Sequence, residues 1–355
     1  MALKWFDGFD FWTGDTQPSG DTAAFYEAVS GGTQGSRSTS AVRFGLAGWR
    51  MSVTSGGNAG NRWIRKTIGG TEDTIIVGFA LRVTNNDSGS VCLCSLQENG
   101  TRHSELWMST GTTTYNLIAT RAGTTLGTAT AAITDGTWMY VEFKTTIHDT
   151  TGTFIVKVNG VEVLNLSSQD TRNGGTGYVD QVALGNPNGN NSNHTIDFDD
   201  WYVLDDTGSA PNNDFLGDVR VAALLPNGAG NSTQMTASAG SNYQTVDENT
   251  PNGDTDYVSE TTVGEKDTYT MTNLPTNADA VYGVKEAVYA RKDDAGAVTL
   301  RQVIRTGGTD YEGGDIALLD SYKFFQAIRE QNPNTTAAWT QSDIDGIEAG
   351  QKLQA

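Results

Sequence analysis

Apolar and polar residues alternate with a period of two through much of the first half of this chain. The clearest case is residues 152–168, GTFIVKVNGVEVLNLSS, where Asn159-Gly160 separates two alternating runs. Asn-Gly supplies the two positive-φ positions of a type I′ turn, whose twist matches antiparallel strands. A two-residue loop sets the register. It predicts Val158 opposite Val161, Lys157 opposite Glu162, Val156 opposite Val163 and Ile155 opposite Leu164. In TWMYVEFK, Met139, Val141 and Phe143 share one face while Trp138, Tyr140 and Glu142 share the other, as in a strand with one buried side.

Further short apolar segments at 42–53, 73–84, 90–97, 103–110, 115–120, 137–147, 178–185 and 195–205 are separated by clusters of Gly, Asn, Ser and Asp. Many short strands with turn signals between them predict an antiparallel sandwich. The same alternation puts Glu105 and Trp107 of ELW on one face, and Asp197 and Asp199 of IDFDDWY on one face. Cys92 and Cys94, at i and i+2, are expected to share a face as small core residues, in a geometry unsuited to a disulfide.

The polar stretch DDTGSAPNNDFLG (205–217) marks a boundary, so two domains are expected, 1–206 and 207–355. In the second, a strand is predicted at 218–228, ending at Pro226. An ordered polar tract follows, anchored by Met235, Tyr243, Val246 and Tyr257. Strands are predicted within 266–275, 280–293, 297–306 and 321–329, with KDDAG (292–296) as the hairpin loop joining two of them. The end of the chain, TQSDIDGIEAGQKL, predicts a short helix. Thr340 is its cap, Asp343 completes a capping box, Ile344 and Ile347 form its apolar pair, and Gly350 stops it, with Trp339 packed beside it. The fold class is therefore mainly β: an N-terminal antiparallel β-sandwich plus a second β-rich domain with a short C-terminal helix.

Composition agrees with short strands and many turns. The chain has 355 residues, 42 of them Gly. Its 42 acidic and 23 basic residues leave a net charge of −19, with acid in excess in both halves. No basic footprint is offered to phosphate backbones or anionic membranes, so neither nucleic acid nor membrane insertion is expected. Two Cys and three His disfavour structural zinc. The opening MALKWFDG leads straight into polar sequence, which predicts synthesis in a cytoplasm without an export signal.

DGTWMYVEFKTTIHDTTGTFIVKVNGVEVLNLSS resembles the concanavalin A-like lectin and laminin-G jelly roll. Trp138, Val141 and Phe143 match one strand of that fold, Val156, Val158, Asn159 and Gly160 match the next, and HTIDFDDWYVLDD its closing strand. The resemblance implies a jelly-roll sandwich over 1–206, a fold shared by lectins, glycosidases and inert modules. The whole chain also resembles tailed-bacteriophage virion proteins, in the opening WFDGFDFW, the junction DDWYVLDDTGSAPNNDFLGDVRV, the run LLPNGAGNSTQMTASAGSNYQTVDE and the ending NPNTTAAWTQSDIDGIEAGQKL. That resemblance implies a particle-borne protein, made in the host cytoplasm and located in the virion. Its partners would be other virion proteins, in a homo-oligomer or many-copy array.

Catalytic patterns are sparse. The E-x-D-x-x-E motif of jelly-roll glucanases is absent, there is no G-x-S-x-G, and His103, His148 and His194 lie in turn-like contexts without an evident partner. The Gly-rich RTGGTDYEGGD (305–315) reads as a loop. A non-enzymatic protein is expected on these grounds. Candidate sugar platforms are Trp63, Trp107 and Trp201. Asp247, Asn249, Asn252, Asp254 and Asp256 offer hard oxygen ligands, so calcium is the one candidate cofactor, with NPNGNNSNHTIDFDD (186–200) a second oxygen-rich cluster. The reading is a structural protein on a phage tail or its fibres, with host-glycan contact. A capsid decoration protein is the alternative within the virion, and a carbohydrate-active enzyme or free lectin the alternative outside it.

Overall fold

The computed structural model describes residues 2–11, 25–26, 28–30, 35–53, 62–86, 89–187, 193–275 and 277–355. The turn clusters expected at 54–61 and 188–192 lie outside these residues. The chain divides into two compact units, the first ending at Val221 and the second continuing from Ala222.

The first unit is a sandwich of two antiparallel sheets. One has the order β13 (Val161–Gln169), β12 (Gly152–Val158), β11 (Met139–Thr146), β6 (Thr74–Asn86), β15 (His194–Asp205), β4 (Gly48–Val53) and β3 (Gly35–Ser38), with β1 (Leu3–Asp7) also on β15. The other has the order β10 (Thr124–Thr134), β9 (Thr114–Arg121), β8 (Thr101–Met108), β7 (Val91–Glu98), β14 (Gln181–Asn186), β5 (Arg62–Thr67) and β2 (Ala28–Ser30). The inner faces meet in a buried, mostly apolar layer. Phe79, Val141, Phe143, Phe154 and Val156 of the first sheet and Ile64, Leu96, Leu106, Met108, Leu117 and Leu184 of the second are all buried. Burial of such side chains contributes roughly 1.5–3 kcal/mol each. Within this layer the Thr145 hydroxyl donates to Ser104, 3.4 Å away across the sheets.

The 152–168 hairpin forms, with Val158 opposite Val161 and Lys157 opposite Glu162. Beyond these pairs the register differs from expectation. A bulge leaves Val163 out, so Val156 faces Leu164, Ile155 faces Asn165 and Phe154 faces Leu166. The reason is packing. A bulge turns the strand by one residue and sends Leu164 and Leu166 inward, where they close over Gly127 of β10. A second bulge, between Cys92 and Cys94, corrects another expectation. Cys92 pairs Trp107 whereas Cys94 pairs Leu106, adjacent residues on opposite faces, so the two thiols also lie on opposite faces. Strands β5 and β10 had no expected counterpart, because RWIRKT and TTLGTATAAIT carry little apolar signal.

The border expected at 206/207 falls inside the first unit. Residues up to Val221 are tied to the outer face of the first sheet. The N–H of Gly217 donates to Glu142 (2.8 Å) and that of Val221 to Asp200 (2.8 Å), while Lys157 lies over the Phe215 ring, 4.2 Å from its centroid.

In the second unit, a sheet has the order β16 (Pro226–Thr233), β19 (Lys266–Met271), β25 (Glu348–Leu353), β21 (Thr299–Thr306) and β22 (Thr309–Glu312), with β23 (Ile316–Ala317) also on β21. Two smaller pairs are β17 (Thr236–Ala237) with β18 (Val258–Ser259), and β20 (Val284–Ala290) with β24 (Lys323–Arg329). The first strand thus begins at Pro226 rather than ending there. KDDAG does not close a hairpin, since β20 pairs β24 and β21 pairs β25 and β22. RTGGTDYEGGD is partly strand, with Gly307-Gly308 turning β21 into β22. The short helix α1 (Gln341–Asp345) forms with the expected Thr340–Asp343 capping box, and Trp339, Ile344 and Ile347 cluster with Ile304. It ends at Gly346, and Gly350 sits in mid-strand.

Candidate functional site

The buried carboxylates of β15 are structural. Asp197 pairs with Arg50 (2.6 Å) and Arg82 (2.6 Å) from neighbouring strands. Asp199 accepts from the N–H groups of Arg43 (2.7 Å) and Phe44 (3.1 Å), and Asp200 pairs with the Arg43 guanidinium (3.0 Å). Burial, then the neighbouring Asp200 charge, pushes Asp199 up to about 8, while burial raises Asp200 to about 6 against the pull of Val221 N–H and Arg43. All three are fully shielded from solvent. They lie on a central strand, at the end of the oxygen-rich 186–200 cluster that the sequence offered as a second candidate metal site.

Asp10 belongs with them. Its Oδ1 accepts from Leu46 N–H (2.7 Å) and Ala47 N–H (3.2 Å), yet burial outweighs these bonds and lifts the carboxyl to about 6. The folded state therefore binds this proton more tightly than the unfolded chain. Its contribution is complete below the ordinary carboxylate range and is lost as pH rises through about 6, by about 3 kcal/mol in all. Asp10→Asn keeps the accepting oxygen and removes the titration. Melting curves of the variant are expected to lie above wild type at pH 8 and to converge with it only below the ordinary carboxylate range, near pH 3.5. Parallel curves at both pH values would contradict this.

Histidines also differ from expectation. His103 is a buried strand residue, not a solvated loop residue. Its Nδ1 accepts from Asn173 N–H (2.9 Å), leaving Nε2–H to donate to Glu98 (3.1 Å). His194 is likewise buried, on β15. Burial acts to raise Glu98, but the N–H groups of Thr176 and Gly177, the Thr176 hydroxyl and His103 win and hold it at about 2.

Among the proposed calcium ligands, Asp254 is taken by Arg291 (3.0 Å) and the Tyr322 hydroxyl (2.8 Å), and Asn252 donates to Glu248 (3.1 Å) and Asp256. Asp247 and Asn249 flank this turn. Among the described residues, no group of three or more His, Cys, Asp or Glu is placed to hold a metal ion. Part of the 186–200 cluster lies outside those residues.

The three candidate tryptophans separate clearly. Trp201 is fully buried and stacks on Tyr26 with ring centroids 6.1 Å apart, so it is a core residue and no sugar platform. Trp63 and Trp107 are half-buried and lie on the outer face of the second sheet. Pairing aligns that face in rows. One row runs Thr120, Glu105, Ser95, Ala183, Arg65 across five strands. A second contains Ile118, Trp107 and Cys92, with Trp63 opposite Gly185 at its far side. A third contains Arg102, Gln97 and Gln181.

Trp107 and Trp63 thus stand three strands apart, about 14 Å at the usual strand spacing. Between them the residues are small and buried: Cys92, Ser95, Ala183 and Gly185. Glu105 organises one wall. It is fully buried and accepts from Arg102 (2.8 Å), Trp107 Nε1 (3.1 Å) and Thr120 (3.3 Å). On the other wall, the Arg65 guanidinium lies over the Trp63 ring, 5.1 Å from its centroid. Trp63 Nε1, Arg65 Nε and Gln181 Oε1 have no hydrogen-bond partner among the described residues. Buried polar atoms left unpaired are costly and rare. Alternation in ELW had already placed Glu105 beside Trp107. Arg65, Gln97, Arg102 and Gln181 went unseen because they join the face through strand pairings far apart in the chain.

No family model and no curated protein sequence matches the chain. Solved structures do match. An endo-β-1,4-glucuronan lyase from the fungus Trichoderma reesei is 17% identical, with 54% of this chain and 93% of that one covered, at a TM-score of 0.40. Alginate lyase Aly36B is 10% identical, covering 56% and 95%, at a TM-score of 0.41. A carbohydrate esterase from the Shiga toxin-encoding bacteriophage phi24B is 12% identical, covering 50% and 88%, at a TM-score of 0.36. These likenesses concern β-rich chain folding and assign no activity. They do correct the expectation of a non-enzymatic protein. That expectation rested on absent patterns, E-x-D-x-x-E and G-x-S-x-G, and on histidines without an evident partner; absent patterns do not exclude catalysis, and the matched chains include polysaccharide lyases and an esterase.

Proposed function

We propose that the first unit is a carbohydrate-active sandwich that engages a polysaccharide across the outer face of its second sheet, and that the chain acts on a tailed-phage particle against a host-surface glycan. The observation that carries the first part is the Trp63–Trp107 arrangement. Two half-buried indoles stand about 14 Å apart over small residues, flanked by arginine, glutamine and unpaired polar atoms. Aromatic faces take the apolar faces of sugar rings, while planar polar side chains take hydroxyls. The phage context is supported by the resemblance of the opening, junction and ending segments to virion proteins.

The test is a panel of immobilised bacterial surface polysaccharides, scored for retention of the full chain and, in the same wells, for released oligosaccharide by mass spectrometry. Retention of at least one polysaccharide is expected, with cleavage products where the face also positions a reactive group. Retention of none would overturn the reading. Antibody labelling of purified particles tests the context, and a particle preparation free of the chain would refute it.

A further inference from the structure

At one end of the first unit lies an open cleft of about 610 Å³, lined by Glu72, Asp73, His148, Arg172, Gly177 and Tyr178 among others. It is formed by the turn before β6, the residues after β11 and the loop after β13. None of these residues belongs to the tryptophan face.

The loop wall is built rather than slack. Glu98, held ionised beneath it, takes the N–H groups of Thr176 (3.0 Å) and Gly177 (3.0 Å). Gly175 has φ of 64°, and a Cβ there would strike the Glu98 carboxylate. Across the cleft, His148 Nδ1 accepts from the N–H groups of Thr150 (3.1 Å) and Thr151 (3.0 Å). That occupies its lone pair, so the ring proton sits on Nε2 and His148 is a donor to the cleft. The Tyr178 hydroxyl accepts from Asn99 (2.9 Å), which leaves its own proton to donate. Glu72 is half-buried and its carboxylate has no hydrogen-bond partner among the described residues.

The cleft therefore presents the Glu72 and Asp73 carboxyl groups as acceptors, the His148 and Tyr178 donors and an aromatic ring. Its charge selects the ligand. Arg172, the one cationic side chain among the lining residues, is already matched to Asp149, while Glu72 and Asp73 bring carboxyl groups without a basic partner among the described residues. An anionic group would meet two carboxylates and no spare cation. Vicinal hydroxyls suit a carboxylate acceptor flanked by imidazole and phenol donors, and the volume lies in the range of small-ligand sites. We propose that this cleft is a second carbohydrate site, which takes a neutral or amino-bearing sugar residue and rejects uronates.

The proposal does not depend on the tryptophan face, and the experiment keeps the two apart. Methyl β-glucoside, glucosamine and glucuronic acid are titrated into the full chain, with NMR shifts followed at Gly177, Tyr178 and His148. Shifts are expected with the first two sugars and not with glucuronic acid. Glu72→Gln is expected to weaken binding about tenfold, the scale of one hydrogen bond to a charged group, and His148→Ala likewise. Trp107→Ala should leave the affinity unchanged. Absence of shifts with the neutral and amino sugars, equal binding of glucuronic acid, or a Glu72→Gln affinity equal to wild type would each overturn it.

Discussion

Replacing Gly350 with alanine is expected to unfold the central sheet of the second unit while the first-unit sandwich stays folded. Gly350 lies in the middle of β25, paired with Thr268 on one side and Val303 on the other. A Cβ at this position would lie 2.8 Å from the Asp267 carbonyl carbon and 2.9 Å from Thr268 Cα, with the Asp267 carbonyl oxygen closer still. All of these are backbone atoms of the adjacent strand, so no side-chain rotation relieves the clash. Relief requires β25 and β19 to separate, which breaks the ladder between Lys266–Met271 and Glu348–Leu353. Overpacking in a core commonly costs about 1–3 kcal/mol, and a backbone clash at a central strand belongs at or above the top of that range. Amide hydrogen exchange is the direct measurement. Protection should fall across β19, β21 and β25 and persist in β6, β11 and β15. Unchanged protection in β19 would show that the strands tolerate the methyl group and that the close approach is misjudged.

The second large effect concerns the tryptophan face. Trp63→Ala and Trp107→Ala are each expected to weaken retention of the polysaccharide found in the panel by about tenfold to a hundredfold, the range of a well-placed aromatic anchor. Neither should lower the melting temperature as a buried Trp would, because both indoles are only half-buried. Trp201→Ala is the contrast. It empties a fully buried, stacked position and is expected to cost about 3–5 kcal/mol of stability. Glu105 links packing to the face, since it holds Arg102 and Trp107 together. If it acts through Trp107, Glu105→Gln should weaken retention in the wild-type background and have much less further effect once Trp107 is alanine, the signature of coupled neighbours. Normal retention by the Trp63 and Trp107 variants would remove the face from the mechanism.

Asp10 and Glu98 illustrate how burial and hydrogen bonding compete. Both carboxyls are shielded and both accept backbone N–H groups. Asp10 is lifted by burial, with the Asp7 charge adding to it, whereas Glu98 adds the Thr176 hydroxyl and His103 to its donors and is lowered. Composition cannot separate two such groups, because the donors come from loops remote in sequence.

What the sequence determined by itself was local. Alternation marked most of the sandwich strands, Asn159-Gly160 made the hairpin, and Thr340 with Asp343 began the helix, because these signals act over a few residues of chain. Alternation also placed Glu105 and Trp107 on one face. The tertiary structure decided everything that depends on which strands meet. The bulge at Val163 exists because Leu164 and Leu166 must reach Gly127 of another strand. Gly350 is glycine because β19 passes close by, not because a helix stops there. Trp201 is core and Trp63 is not, because one packs on Tyr26 inside the fold and the other lies outside with Arg65. Side-chain period is a property of one strand, while burial and clustering are properties of its neighbours, and those are chosen by long-range pairing that no local pattern encodes.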